Sequence, residues 1–489
     1  MLITCEEMRN AEEAAFARGV QAEDLMEEAG RGVAEIVRQF HRVPGLCIVF
    51  CGKGHNAGDA LVAARYLASW GWVIDVRFAF TAASLAPLTA RKLDQLAETR
   101  HEFPQGDSTV IVDGLLGIGA KGEPRGEIAL AIESINRLRQ ERGAWVLAID
   151  IPSGLDGTTG RPASICVTAD LTATIAVAKD CLVADTATGV VGRLAVIELK
   201  DLPPPESARW HVTTPRSIQA WLPPRSFDLH KGDCGRVGVI AGSHGFTGAA
   251  RLCSAAAVRA GAGLVTLLSK SDCSDVLAAS CVPEVMVKTV LSYREALDLR
   301  FDTLAIGPGL GSEFAAEILS VIEHAEQPVV IDADAINVLS PDVRLLKHCA
   351  GSRLLTPHPG EMERLFPREA RERREWLDDF LAEYPVTLLL KGARTLVGEA
   401  REARFINSSG NPGMASGGMG DVLTGVCAAL CPQVTGKNLL QCAVLGAWVC
   451  GRAAECAVFS GADAPESLCA SSLLDSLGSA FRSLRAGHY

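Results

Sequence analysis

The amino-acid sequence predicts an α/β protein of two units, each built on a mainly parallel sheet. Three observations carry this expectation. Short apolar runs alternate with amphipathic stretches through both halves of the 489 residues, the pattern of repeated strand–helix units. The 47 glycines point to many tight turns and close approaches of backbone to ligand. A stretch with little periodicity, residues 200–215, contains Pro203, Pro204 and Pro205 and separates one strand series from the next.

In the first half, helical patterning covers residues 7–40, 59–70 and 127–140. Strands are expected at 46–51, 73–80, 109–113, 145–151, 171–178 and 194–199. A fresh series follows the proline-rich stretch, at 237–241, 264–269, 303–306, 329–332, 354–356 and 386–390. The boundary is expected near residue 210, giving units 1–209 and 210–489.

Composition narrows the class further. With 48% hydrophobic and 21% charged residues, the chain can bury sizeable cores. A formal net charge of −11 disfavours a nucleic-acid partner. Small anions remain open, because backbone dipoles bind phosphate whatever the global charge. The start, MLITCEEMRN, lacks a basic region followed by an apolar core, so no secretory leader and a cytoplasmic location are expected. Residues 439–459 are strongly apolar but broken by Arg452 and Glu455; a buried helix is expected there, not a membrane span. The sixteen cysteines are scattered without a CxxC pair, the closest being Cys47/Cys51 and Cys427/Cys431. Buried thiols in a reducing compartment are expected, not disulfides or metal ligands.

Three strand ends in the first half carry polar groups. The run CGKGHNAGDALVAARYLASWG places Gly52, Gly54 and Gly58 between a strand and a helix; such a turn exposes backbone N–H groups to an anion. Asn56 and Asp59 are expected in the turn itself, where either could instead cap the helix. IVDGLLGIGAKGEPRG puts Asp113 before a glycine-containing loop, and AIDIPSGLDGTTG puts Asp150 and Ser153 beside Pro152. Carboxyl ends of parallel strands are where such sheets bind ligands.

Together with ADLTATIAVAK, these segments resemble the NAD(P)HX epimerase (YjeF) family, with its Rossmann-like fold, over residues 1–205. The resemblance implies that His55, Asn56, Ala57, Gly58 and Asp59 hold substrate. It implies the same for Asp150 and for the loop of Gly117, Ile118, Gly119, Ala120, Lys121, Gly122 and Glu123. Asn56, Asp113 and Ser153 would bind a potassium ion. Asp150 is expected to handle a proton while the hydrated C6 centre opens and recloses. The sequence departs from the family at His55 (usually Asn) and at Ala57 and Ala60 (usually Gly). If the turn needs positive φ at Ala57, its Cβ costs about 1 kcal/mol.

The second half contains NSSGNPGMASGGMGDVLTGVCAAL, where Gly417, Gly418 and Gly420 lead into an apolar helix with Asp421 at its start. Backbone N–H groups there suit a phosphoryl group, and the carboxylate could accept a hydroxyl proton. An Asp N-cap after a loop explains the bare motif equally well. Further strand ends carry Gly307, Gly309 and Gly311; Asp332 and Asp334; His358 and Glu361 in LLTPHPGEMERL; and Lys391 in LLLKGARTLVG.

In order, KGD, GPGLG, DADAIN, TPHPGE, KGA and GGxGD resemble the ADP-dependent NAD(P)HX dehydratase family, with a ribokinase-like fold, from about residue 231 to 451. The resemblance implies that Ala249, Gly309 and His358 contact the hydrated dinucleotide. It implies adenine-nucleotide binding by Lys391, Gly392, Ala393, Arg394, Thr395 and Gly420, and contact of Asp421 with the substrate hydroxyl. Met419 stands where the family usually has Thr.

The expected activity is therefore repair of NADHX and NADPHX, an isomerase joined to a lyase. Potassium would serve the first unit; magnesium and ADP, with ATP still open, would serve the second. The expected partners are these small molecules and a second copy of the chain in a homo-oligomer, with no membrane. Two other readings stay open at this stage: a ribokinase-like small-molecule kinase, and a non-catalytic nucleotide-binding module in the first half.

Overall fold

The computed structural model describes residues 1–96, 105–204, 209–368 and 372–489; residues 205–208 of the expected linker lie outside this set. The chain divides into two compact units, Met1–Val212 and Thr213–Tyr489.

In the first unit, six strands lie in the order Val73–Phe78, Leu46–Cys51, Thr109–Gly114, Trp145–Ile149, Leu171–Ile175 and Arg193–Ile197. Every neighbouring pair is parallel. Leu46–Cys51 is an almost unbroken apolar run buried along its length, as a strand covered on both faces must be. Burial also pushes the thiols of Cys47 and Cys51 up to about 12. The strand order reverses between Leu46–Cys51 and Thr109–Gly114, which opens a crevice at their carboxyl ends.

Two helical expectations need correction. The run 7–40 forms two helices, Cys5–Ala17 and Ala22–Phe40, because Gly19 takes φ +95°, which a right-handed helix cannot include. The helix expected from residue 59 begins earlier and spans His55–Ser69, with Gly54 as its N-cap. Asn56 and Asp59 therefore lie inside the helix, and neither caps it.

In the second unit, the strands run Val285–Thr289, Leu264–Ser269, Arg236–Ile240, Thr303–Ile306, Val329–Ile331, Arg353–Leu355, Thr387–Leu390, Thr395–Glu399 and Arg404–Asn407. Pairing is parallel up to Thr387–Leu390 and antiparallel across the last two strands. The order reverses between Arg236–Ile240 and Thr303–Ile306. Three strands were not expected. Val285–Thr289 is a half-exposed edge, and Thr395–Glu399 and Arg404–Asn407 form a charged hairpin turned through Arg401 at φ +65°. None offers the continuous apolar run that marks the central strands.

Leu439–Phe459 is, among the described residues, the helix long and apolar enough to cross a membrane. It lies inside the core of the second unit, with Trp448 fully buried. The charges that interrupt it are paired there: Arg452 Nη1 lies 2.9 Å from Glu455 Oε2, and Glu455 Oε1 accepts from Gly410 N at 2.8 Å. Trp448→Ala should cost about 3–5 kcal/mol, read as a lower urea midpoint for unfolding of the second unit.

Candidate functional site

Each sheet brings its polar strand ends together at the point where its strand order reverses. In the first unit the glycine turn packs directly on the neighbouring loop: a Cβ on Gly52 would sit 2.0 Å from the Leu115 carbonyl oxygen. Asn56 Nδ2 donates to Leu116 O at 2.7 Å. Asp113 Oδ1 accepts from Leu115 N at 3.1 Å and Ser153 Oγ at 2.7 Å, and its Oδ2 accepts from Ser153 N at 2.8 Å. Ser153 Oγ in turn accepts from Leu116 N at 3.0 Å. Asn56, Asp113 and Ser153 thus converge on Leu115 and Leu116, at the head of the loop Gly117 to Glu123. Burial pushes the Asp113 carboxyl up to about 6, although bonds from Ser153 and Leu115 oppose the shift.

His55 is exposed at the helix start, and most of the loop from Gly119 to Glu123 is exposed too. Glu123 Oε2 accepts from Ser164 Oγ at 2.7 Å and Ser164 N at 3.1 Å, which ties that loop to the segment after Asp150. Ala57 is buried and helical, and it is not among the non-glycine residues at positive φ. The backbone cost expected for its Cβ is therefore absent. Ala60 is buried as well, against Gly114, where a second Cβ would approach to 2.6 Å.

Asp150 follows the strand Trp145–Ile149 and holds φ +65°, a conformation that costs a non-glycine residue roughly 1–3 kcal/mol. Its Oδ1 receives Ile175 N at 3.0 Å, Thr174 Oγ1 at 3.2 Å and the Lys179 ammonium. Lys179 is 1% exposed and also donates to Ile175 O at 2.7 Å. Asp59 is turned inward toward this group. Burial first, then the charges of Asp150 and Glu12, raise its carboxyl well above the ordinary range.

In the second unit, Gly418 at φ +87° is the N-cap of Met419–Leu430. Asp421 is the third residue of that helix, so it does not cap it. Met419 is 8% exposed and packs into the apolar core, which removes its side chain from the site where the family has Thr. Asp332 organises what lies beneath. Its Oδ1 accepts from Lys391 Nζ and Thr356 Oγ1, both at 2.8 Å, and its Oδ2 from Thr424 Oγ1 at 2.8 Å. Lys391 Nζ also lies 3.7 Å from Glu361 Oε2, and a Cβ on Gly420 would lie 3.3 Å from that ammonium. Burial pulls Lys391 down, but Asp332 and Glu361 outweigh it and leave the ammonium above the ordinary lysine value. Burial, then Asp332, pushes Asp421 up to about 6 against the pull of Lys391.

His358 is the N-cap of Pro359–Leu365: its Nδ1 accepts from Gly360 N at 3.0 Å and Glu361 N at 3.3 Å. Glu361 Oε2 accepts from His358 N at 2.8 Å, which closes a capping box. The outer ring edge stays half exposed. Gly309 and Ala249 meet across the strand-order reversal, where a Cβ on Gly309 would lie 3.0 Å from Ala249 Cβ. Gly311 N donates to Asp334 Oδ2 at 2.9 Å. Beyond Lys391, Gly392 and Ala393 are exposed and Thr395 half-buried, whereas Arg394 is buried. Gly420, Asp421 and, through Glu361, His358 thus gather around Asp332 and Lys391, whereas Ala249 and Gly309 meet each other.

Sequence reasoning gave no role to Lys179, Thr174, Glu361, Thr356 or Thr424. The available signals were slight: a lone lysine ending the apolar run AVAK, and a threonine one helical turn after Gly420.

Two glycine turns at two strand-order reversals, each beside buried carboxylates, define a two-site α/β protein built for phosphate-bearing ligands. Residues 237–470 match the family model described as NAD(P)H-hydrate dehydratase. Residues 22–181 match that of the YjeF-related protein N-terminus. The bifunctional NAD(P)H-hydrate repair enzyme Nnr of Moorella thermoacetica is 36% identical over 471 residues, 88% of this chain and 87% of that protein. The Escherichia coli protein of the same name is 34% identical over 89% of this chain and 85% of its own. The ADP/ATP-dependent NAD(P)H-hydrate dehydratase from Bacillus subtilis, co-crystallised with ATP and Mg2+, is 26% identical; it covers 55% of this chain and 97% of its own, with a TM-score of 0.48. The chain belongs to the family of bifunctional NAD(P)H-hydrate repair enzymes.

Lys179→Met strands the buried Asp150 carboxylate and should cost about 3–5 kcal/mol. The double variant Lys179→Met/Asp150→Asn should recover part of that loss in urea unfolding; additive losses would show that the two side chains do not act as a pair.

Proposed function

We propose that the second unit dehydrates S-NADHX and S-NADPHX with ADP as phosphoryl donor, and that the first unit interconverts the R and S epimers. One observation carries the reading: an Asp421 carboxyl pushed to about 6, in the first turn of a helix preceded by Gly417 and Gly418. A base poised near neutrality beside backbone N–H groups suits proton removal from an alcohol coupled to phosphoryl transfer.

Asp421 takes the proton of the C6 hydroxyl, and that oxygen attacks the terminal phosphoryl of ADP, releasing AMP. Phosphate then leaves C6 while a proton leaves C5, and the C5–C6 double bond of NAD(P)H reforms. Lys391, held between Asp332 and Glu361, offers positive charge to the nucleotide phosphates. Gly392, Ala393, Arg394, Thr395 and Gly420 bind the nucleotide; Ala249, Gly309 and His358 bind the hydrated dinucleotide. Magnesium accompanying the nucleotide would neutralise phosphate charge. Asp334, whose charge adds to the rise of the Asp421 carboxyl, is the carboxylate suited to meet it.

In the first unit His55, Asn56, Ala57, Gly58, Asp59 and the loop Gly117 to Glu123 hold the substrate, and Asp150 exchanges a proton at the C6 centre. Asn56, Asp113 and Ser153 supply only oxygen ligands, a donor set suited to a hard cation such as potassium. A cation there would relieve the burial that raises Asp113. A ribokinase-like kinase reading of the second unit leaves the first unit without a role, and we set it aside.

Incubation with S-NADHX, magnesium and ADP should restore absorbance at 340 nm with release of AMP and phosphate. Adding the R epimer then tests the first unit. A stable phosphorylated product with no NADH would overturn the dehydratase reading in favour of a kinase. Because Asp421 must be ionised to act, kcat/KM should rise tenfold per pH unit up to about 6 and level off above. Asp421→Asn should lower kcat at least about 100-fold and remove that dependence.

A further inference from the structure

Beside the first unit's glycine turn lies an open cleft of about 490 Å3, lined by Lys53, Ala79, Phe80, Thr81, Ser84 and Glu127. Its size falls within the range of roughly 300–1,000 Å3 usual for small-molecule sites. It sits where the strands Leu46–Cys51 and Val73–Phe78 end. Backbone bonds hold its two walls together: Ala79 N donates to Cys51 O, and Ala86 N to Lys53 O, both at 3.0 Å. Ser84 folds back to donate through its N (2.9 Å) and Oγ (2.7 Å) to Thr81 O. The Lys53 ammonium lies 3.9 Å from the centroid of the Phe80 ring.

In dinucleotide-binding sheets with this reversal, the adenosine ribose comes to the end of the strand next to the glycine turn. A carboxylate there bonds the 2′-hydroxyl of NAD, whereas a cation accommodates the 2′-phosphate of NADP. In this chain the strand runs out into Ala79, Phe80 and Thr81, and no Asp or Glu follows until Asp94. A lysine and two hydroxyl residues stand in its place. Lysine serves phosphate as a point charge. Glu127, the one carboxylate among the lining residues, suits the exocyclic amino group of adenine.

We propose that this cleft receives the adenosine end of the hydrated dinucleotide, and that Lys53, with Thr81 and Ser84, reads a 2′-phosphate. The first unit then prefers NADPHX to NADHX. This rests on the epimerase reading of that unit.

The test compares initial rates of epimerisation of R-NADPHX and R-NADHX by the full chain and by its Lys53→Met and Lys53→Arg variants. The ratio of kcat/KM for the phosphorylated over the unphosphorylated substrate should exceed one in the parent chain. It should fall about tenfold in Lys53→Met, the worth of one charge-assisted bond, mainly through KM, and should be largely kept in Lys53→Arg. An unchanged ratio in Lys53→Met overturns the proposal. If the parent chain epimerises neither substrate, the epimerase reading fails, and calorimetry with adenosine 2′,5′-bisphosphate and 5′-AMP decides the site separately. Tighter bisphosphate binding that Lys53→Met weakens about tenfold supports it; equal affinities, or discrimination that survives in Lys53→Met, reject it.

Discussion

A carboxylate withdrawn from water must be given partners, and in the second unit that requirement falls on Asp332. At 1% exposure, it accepts from Lys391, Thr356 and Thr424, which come from three different elements. The bonds fix the ends of three parallel strands against the second turn of Met419–Leu430. The same charges set the chemistry above them. Lys391 is kept charged, while Asp421, one turn of helix away from Thr424, is made easier to protonate by burial and then by Asp332. A buried pair whose net worth to stability is small therefore does its main work by placing and tuning its neighbours.

The first unit meets the same constraint by different means. Asp113 is satisfied almost wholly by Ser153 and the backbone of Leu115, and Asp150 by Lys179 and the end of Leu171–Ile175. Asp59 faces that group with a carboxyl raised well above its ordinary range. Environments that separate the proton affinities of neighbouring carboxyls are how a site assembles distinct acid and base roles. The oxygens around Leu116 form a separate cluster at the head of the glycine-containing loop. Two groups of buried carboxylates are thus built on adjacent strand ends of one sheet.

The central strands were legible in the sequence because parallel strands covered on both faces must be continuously apolar, and Leu46–Cys51, Thr303–Ile306 and Val329–Ile331 all read that way. Edge elements were not. Val285–Thr289 and the hairpin of Thr395–Glu399 with Arg404–Asn407 are partly solvated and charged, so their patterns resemble loops. The helix start at His55 was missed for a related reason, since glycine and polar residues in the first turn imitate a longer turn. Both sites were visible as motifs, with Asp113, Ser153, Asp421 and Lys391 all named at strand or helix ends. Their buried supports, Lys179 and Thr424, carry no motif.

What the sequence by itself determined was the α/β class, the two strand series and the polar residue types at each strand end. These depend on local pattern: apolar continuity, glycine in turns and order along the chain. Only the tertiary structure decided that Ala57 sits strain-free in a helix, that Met419 points into the core, and that His358 caps the helix following it. It alone decided which carboxylates lost their water and which cation came to each. Burial and pairing are set by residues dozens of positions apart, and no local spacing encodes them.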